Sequence, residues 1–165
     1  PSVTKLGNSE LFAYCTALET VTIEGLIPSI PDYTFYGCTA LKDIDLPEGL
    51  ASIGDNAFNG CIGLKQIDLP EDLHYILFQA FANCGLTSVD LPDALCYIGD
   101  SAFRGCAELT RVKLPSALTD LGSHAFADCV KLSSVEMPES HIDSIGDGVF
   151  LNCTALTDMT SHTAG

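Results

Sequence analysis

The feature that most constrains the fold of this chain is a repeat of about 23 residues that runs from end to end. A phenylalanine marks each repeat, and a cysteine follows it three residues later. The phenylalanines are Phe12, Phe35, Phe58, Phe81, Phe103, Phe126 and Phe150, and the cysteines are Cys15, Cys38, Cys61, Cys84, Cys106, Cys129 and Cys153. A coil this short cannot bury its own apolar side chains, so the period predicts a solenoid of stacked coils with one continuous core.

Each repeat divides into two parts with different apolar spacing. After the cysteine, L-x-x-[IV]-x-L-P places branched side chains two apart, which predicts a short strand ended by proline and a parallel sheet across the stack. The remainder, P-x-x-L-x-x-I-G-x-x-A-F, spaces apolar residues three or four apart and predicts a short helical or 3₁₀ return segment. Gly, Asn or Asp precedes the cysteine in every repeat except the first, where Tyr14 stands, and these types favour a tight left-handed turn. The predicted fold class is an α/β repeat.

These motifs resemble the BspA-like (Treponema pallidum type) leucine-rich repeats. Segments such as L-P-E-G-L-A-S-I-G-D-N-A-F-N-G-C, from Leu46 to Cys61, follow that family's pattern closely. The resemblance implies a curved right-handed solenoid, with the sheet on the concave face, in cell-surface or secreted proteins associated with adhesion and protein binding. It implies no catalytic residues. We interpret residues 1–165 as a single domain of about six complete coils with partial ends, and as a fragment of a longer protein.

Charge restricts the partners that this chain can attract. It has 22 acidic residues against 7 basic ones, and its formal net charge is −15. Such a surface repels nucleic acid and anionic membranes, and it attracts basic partners. No apolar run reaches the roughly 18–20 residues of a membrane-spanning helix, so direct membrane insertion is not expected. Acidity also serves solubility alone, and both interpretations stay open.

The predicted binding surface is the outward side of the strands, where residues flank the buried Ile or Val. Carboxylates at about 5 Å repel each other by roughly 1 kcal/mol in water, and a row of three on adjacent strands would be relieved by a cation or a basic partner. Arg111 and Lys113 form a paired basic spot beside that row. A solvated acidic face without a ligand is the alternative. The predicted ligand-binding residues are Asp43, Asp45, Gln66, Asp68, Ser88, Asp90, Arg111, Lys113 and Glu136.

The cysteines of the repeat are predicted to be free, buried thiols that act as small apolar side chains. In stacked coils their parallel side chains are poorly placed for disulfides, and a linear row cannot surround a metal ion tetrahedrally. Cys96 alone lies out of register and is expected to be more exposed. Neither a metal nor a cofactor is expected.

Catalysis is not expected either. The histidines, His74, His124, His141 and His162, are scattered, and no nucleophile elbow or phosphate-binding loop occurs. The sequence therefore favours a non-enzymatic protein-binding or adhesion module, for a host or matrix protein with a basic surface. A structural spacer within a larger surface protein is the alternative. Tyr75 and Tyr97 occupy matching places in neighbouring coils and could form a second binding edge, and open solenoid ends could associate end to end.

Overall fold

A computed structural model describes residues 2–3 and 6–161. Its strands pair in parallel, and each pairs with the equivalent segment of a neighbouring coil. The strands are β1 (Ser2–Val3), β2 (Thr20–Ile23), β3 (Ser29–Ile30), β4 (Asp43–Asp45), β5 (Ser52–Ile53), β6 (Tyr75–Ile76), β7 (Tyr97–Ile98), β8 (Arg111–Lys113), β9 (Asp120–Leu121), β10 (Ser134–Met137), β11 (Ser144–Ile145) and β12 (Asp158–Ser161).

The predicted strands after the cysteines form two separate sheets. One has the order β1-β2-β4 and the other β12-β10-β8. In β4 and β8 the central residue is buried and its neighbours are exposed, as the alternating pattern predicts. The prediction of one sheet through all coils is wrong in the middle, because residues 66–69 and 88–91 form no strand. The link from Cys84 to Leu86, which is one residue shorter than in the other coils, lies at this interruption.

The return segments form a separate six-stranded sheet where short helices were predicted. This sheet is called the second sheet below, to distinguish it from the two sheets that follow the cysteines. Two-residue strands pair in the order β11-β9-β7-β6-β5-β3, and residues 2–3 and 6–161 include no helix. The cause is visible in the hydrogen bonds of the main chain. The amide of Gly54 donates to the carbonyl of Ile30 at 2.8 Å, and that of Leu77 donates to Ile53 at 3.0 Å, so these donors serve the preceding coil and not their own. The predicted helical or 3₁₀ return segments are therefore wrong.

The stretch between the second sheet and the cysteine is a series of turns. The amide of Phe35 donates to Ala57 in the next coil at 2.8 Å, whereas the following amide, of Tyr36, donates three residues back to Tyr33 at 3.1 Å. The predicted left-handed residue before cysteine is confirmed in the six repeats with Gly, Asn or Asp there, and Tyr14, the exception in the sequence, adopts the same conformation with a φ of 59°. A second left-handed position, two residues before phenylalanine, was not predicted: Glu10, Tyr33, Asn56, Gln79, Ser101, His124 and Gly148.

The core consists of ladders of identical side chains. Successive phenylalanine rings of the repeat stack nearly parallel, with centroids 5.1–5.8 Å apart from Phe12 to Phe150. The five inner rings are fully buried, and so are Leu41, Leu64, Leu86, Leu109 and Leu132. Burial of one such side chain stabilises a fold by roughly 1.5–3 kcal/mol, so these ladders account for much of the stability. The continuous core predicted from the repeat is confirmed.

Candidate functional site

The strand face, defined here as the outward side chains of residues 20–22, 43–45, 66–68, 88–90, 111–113, 134–136 and 158–160, presents the predicted binding residues to solvent. Eight of the nine predicted residues are exposed, and Glu136 is half-buried. The parallel register sets Asp43 beside Thr20 and Asp45 beside Thr22 on one sheet. On the other sheet Lys113 lies beside Glu136, and Arg111 lies beside Ser134.

The acidic row of Asp45, Asp68 and Asp90 is almost without compensating partners. The hydroxyl of Thr22 donates a hydrogen bond to Asp45 at 3.3 Å. Within the described part of the chain, Asp68 and Asp90 make no side-chain hydrogen bond or ion pair. Repulsion along this row is therefore left to solvent, and it makes this part of the strand face attractive to cationic groups.

Two clefts open where the strand pairing is interrupted, and both border Asp90. One, of about 230 Å³, is lined by four acidic residues, Asp68, Glu71, Asp90 and Asp93, together with four apolar residues of the same two coils. The other, of about 370 Å³, lies between Ser88 and Asp90 on one coil and Thr110, Arg111 and Lys113 on the next. The surface is thus grooved at its centre, with carboxylates on one side and cations on the other.

Glu71 and Asp93, which line the smaller cleft, were not predicted as site residues. They stand directly after the proline that follows the strand, and Glu48 and Glu139 occupy the same repeat position. An acidic residue that recurs at this position of the repeat could have been recognised from the sequence. Its approach to the strand face depends on how the chain turns at the proline, which the sequence pattern does not specify.

The basic side of the groove is partly neutralised. Lys113 forms an ion pair with Glu136 at 3.1 Å, and this hydrogen-bonded contact raises the pKa of Lys113. Arg111 forms no ion pair among the described residues, and it lines both the larger cleft and a third one, of about 180 Å³, beside Glu136 and Asp158. Arg111 is therefore the cation on this face that is free to contact an anionic group of a ligand.

The cysteines form a hydrogen-bonded row inside the solenoid. All eight are free, as predicted. From Cys38 to Cys153, each thiol of the repeat donates to the carbonyl oxygen of a phenylalanine in the preceding coil, at 3.0–3.2 Å. Burial raises the pKa of Cys38 and of Cys106 to about 12. Cys15 is exposed, against the prediction of burial, because it belongs to the first coil, and Cys96 is half-buried.

Other reactive side chains do not converge. No group of three or more His, Cys, Asp or Glu within residues 2–3 and 6–161 is arranged to hold a metal ion. His74, His124 and His141 lie on different coils, and His162 is outside the described residues. No described helix is long and apolar enough to cross a membrane.

The tyrosines singled out in the sequence lie together on the second sheet. Tyr75 in β6 and Tyr97 in β7 are direct register partners, with ring centroids 6.5 Å apart. They are separated from the strand face by the core, so they do not contribute to the acidic groove.

Comparison with known proteins identifies the repeat. The family model for the BspA-type leucine-rich repeat region matches six copies, over residues 4–84 and 74–164. No curated protein sequence matches the chain.

Solved structures show the same fold. A leucine-rich repeat protein from Bacteroides ovatus is 31% identical, with a TM-score of 0.87 over 96% of this chain and 41% of that one. The T. pallidum leucine-rich repeat protein is 33% identical, with a TM-score of 0.81 over 94% of this chain and 71% of that one. The pneumococcal vaccine antigen PcpA, at 23% identity, shares the fold with a TM-score of 0.50 over 87% of this chain and 30% of that one. The chain thus spans less than half of the Bacteroides ovatus protein.

Proposed function

This chain belongs to the BspA-type leucine-rich repeat family, and on that premise we propose that it is a non-enzymatic protein-binding or adhesion module of a cell-surface or secreted protein. The carrying observation is the grooved acidic centre of the strand face, where Asp45, Asp68 and Asp90 are exposed and almost unpartnered. A protein with a basic surface patch fits this groove. The surface location rests on the family resemblance, and the description of PcpA as a vaccine antigen is consistent with it.

The shape of the face supports a protein ligand over a small molecule. The two central clefts are open and lie between neighbouring coils, in line along the stack. A small-molecule site encloses most of its ligand, whereas a protein interface spreads over an extended surface of several elements. Basic side chains of the partner would enter the clefts beside Asp68 and Asp90, and an acidic one would meet Arg111. Such charge arrangement sets the orientation of the partner and the association rate more than the affinity.

The test is a charge reversal of the acidic row. The triple variant Asp45→Lys, Asp68→Lys, Asp90→Lys is screened beside the unmodified chain against purified extracellular-matrix and host-surface proteins, at low and high salt. We expect binding that weakens with salt and is lost in the variant, without a fall in the melting temperature because all three side chains are exposed.

The matched control reverses three exposed acids away from the strand face, Asp72→Lys, Asp143→Lys and Asp147→Lys, and so gives the same net charge. Binding should survive in this control. Equal loss in both variants would contradict a specific acidic groove. Absence of binding by the unmodified chain would favour the alternative, a structural spacer within a larger surface protein.

A further inference from the structure

The third return segment departs from the repeat in a way that the fold does not require. In the second coil this segment reads Ser52, Ile53, Gly54, Asp55, and in the sixth Ser144, Ile145, Gly146, Asp147. The third coil places Tyr75, Leu77 and Phe78 at the serine, glycine and aspartate positions, and the fourth adds Tyr97 at the serine position. We call the outward side of β3, β5, β6, β7, β9 and β11 the return face, and these four residues its aromatic patch.

The aromatic patch is exposed. Tyr75 is 46% exposed, Phe78 44% and Tyr97 37%, and the two tyrosine rings lie side by side. Solvent-exposed aromatic groups at positions where other coils carry serine or aspartate contribute little to the core. Exposed apolar side chains that are grouped on two neighbouring coils mark an interaction site more often than a structural need.

Phe78 also interrupts a hydrogen-bonded ladder. The carboxylate of Asp32 accepts from the amide of Asp55 at 2.8 Å, and that of Asp55 accepts from the amide of Phe78 at 3.1 Å. Further along, Asp100 accepts from the amide of Ser123 at 2.7 Å. Phenylalanine has no acceptor to offer the next coil, so the ladder stops at Phe78. The aromatic side chain replaces a stabilising contact, and folding alone does not account for it.

The patch adjoins a large open cleft on the return segments. This cleft, of about 700 Å³, is lined by Leu77 and by Ser52, the register partner of Tyr75. Leu26, which is 94% exposed, and Pro31 line it on the first coil. The cleft therefore connects Leu77 of the patch, across Ser52 and Gly54 of the second coil, to apolar residues of the first coil.

The charges around the patch and this cleft select a cationic partner. The six return segments, residues 27–33, 50–56, 73–79, 95–101, 118–124 and 142–148, contain no Lys or Arg and include Asp32, Asp55, Asp100, Asp120, Asp143 and Asp147. Asp55 and Asp100 flank Phe78 on either side. Tyrosine faces attract ammonium and guanidinium groups, and the carboxylates reinforce that attraction. A second copy of the chain is disfavoured, because each carries a net charge of −15.

We propose that the aromatic patch is a second interaction surface, separate from the strand face, that binds an extended protein segment in which Lys or Arg alternates with apolar side chains. The apolar residues would occupy the patch and the 700 Å³ cleft. The cations would lie over the tyrosine rings and beside Asp55 and Asp100. This surface does not depend on the strand-face proposal.

The probes are three synthetic twelve-residue peptides that alternate arginine with leucine, glutamate with leucine, and arginine with serine. The variant Tyr75→Ser, Phe78→Asp, Tyr97→Ser restores residue types that the repeat uses at these positions, so its melting temperature should be no lower than that of the unmodified chain. We expect the arginine–leucine peptide to bind the unmodified chain at least tenfold more tightly than the other two peptides, and at least tenfold more tightly than it binds the variant.

This variant separates the aromatic patch from general electrostatic attraction. Its net charge is more negative than that of the unmodified chain, so a cationic peptide attracted by net charge alone would bind the variant more tightly. The strand-face reversal Asp45→Lys, Asp68→Lys, Asp90→Lys should leave the affinity for the peptide within twofold. If that variant still binds the matrix protein, the result contradicts only the strand-face proposal. The proposal for the aromatic patch is refuted if no peptide binds or if the arginine–serine peptide binds as tightly as the arginine–leucine peptide. It is also refuted if the variant binds the arginine–leucine peptide as tightly as the unmodified chain does.

Discussion

Each buried cysteine of the repeat combines the packing of a small aliphatic residue with a hydrogen bond that such a residue could not make. Its side chain fills the space between neighbouring coils, and its thiol donates to a phenylalanine carbonyl of the preceding coil. That carbonyl also accepts the amide of the residue three positions later in its own coil, as Phe35 does from Cys38. The cysteines therefore connect the turn of one coil to that of the next while remaining protonated.

Protonation of these thiols predicts a loss of stability at high pH. Burial raises the pKa of Cys38 and of Cys106 from 9.0 to about 12, so the unfolded chain releases protons from about pH 9 while the folded chain retains them. The folded state then binds more protons, and the free energy of unfolding falls as pH rises through this window, by about 1.4 kcal/mol per pH unit for each thiol. Below pH 9 the contribution is fully present. Urea unfolding at several pH values from 8 to 10.5 measures the slope.

The control for this effect is the double variant Cys38→Ala, Cys106→Ala. It is less stable below pH 9 because a buried group and its hydrogen bond are lost, but its slope above pH 9 should be shallower than that of the unmodified chain. Identical slopes would show that other groups cause the alkaline loss. Thiol-reagent labelling of the native chain at pH 8 adds a second measure, since the exposed Cys15 should react far faster than the buried Cys38 and Cys106.

At the scale of the structural element, glycine follows four of the six second-sheet strands because the neighbouring coil approaches closely there. A Cβ atom on Gly122 would lie 2.4 Å from the amide nitrogen of Asp100 and equally close to the carbonyl carbon of Gly99. These are main-chain atoms held by the sheet, and they cannot move aside independently. The conformation at Gly122 itself is ordinary, so spacing between coils and not backbone freedom demands glycine here.

Gly122→Ala should therefore destabilise the fold by about 1–3 kcal/mol, the usual cost of overpacking. Urea unfolding of the variant measures this loss. Gly7→Ala is the matched control, because a Cβ at Gly7 meets no atom within 4 Å and should change stability by less than about 0.5 kcal/mol. If Gly122→Ala left the free energy of unfolding unchanged, the coils would have to separate easily at this position.

The same scale shows why the return segments were predicted as helical. Apolar spacing of three or four residues, as in Leu50, Ile53 and Ala57, fits a helix and equally fits a strand followed by turns. Periodicity reports which side chains point inward, and it does not report where the amide protons go. In this fold most of them bond to carbonyl oxygens of the adjacent coils, which lie 21–25 residues away in the chain.

At the scale of the whole molecule, acidic side chains greatly outnumber the basic ones that could pair with them. The described ion pairs with Lys or Arg, at 2.7–3.1 Å, all join neighbouring coils and are solvent-exposed: Lys42–Glu19, Arg104–Asp128, Lys113–Glu136 and Lys131–Glu108. Exposed pairs contribute little to stability, about 0–1 kcal/mol each. With 22 acidic residues in the chain, the remaining carboxylates repel one another across the stack.

This repulsion predicts that moderate salt stabilises the solenoid. The melting temperature should rise between 20 and 300 mM NaCl, because screening weakens long-range repulsion more than it weakens close contacts. The variant Asp45→Asn, Asp68→Asn, Asp90→Asn removes three of the crowded carboxylates and should show a smaller rise, which thermal unfolding followed by circular dichroism would measure. A melting temperature that falls with salt in the unmodified chain would instead assign net stabilisation to the ion pairs.

The sequence by itself determined the period, the solenoid, the buried ladders and which residues of each strand face outward, because burial repeats at fixed positions and leaves its mark on residue type. It also placed Tyr75 and Tyr97 beside each other, and it identified Asp45, Asp68 and Asp90 as exposed. The tertiary structure decided the second sheet, the interruption of the first, the clefts beside Asp90 and the approach of Glu71 and Asp93. These features depend on hydrogen bonds and packing between coils. Both are set by the distance between neighbouring coils, which the residue types of a single repeat do not specify.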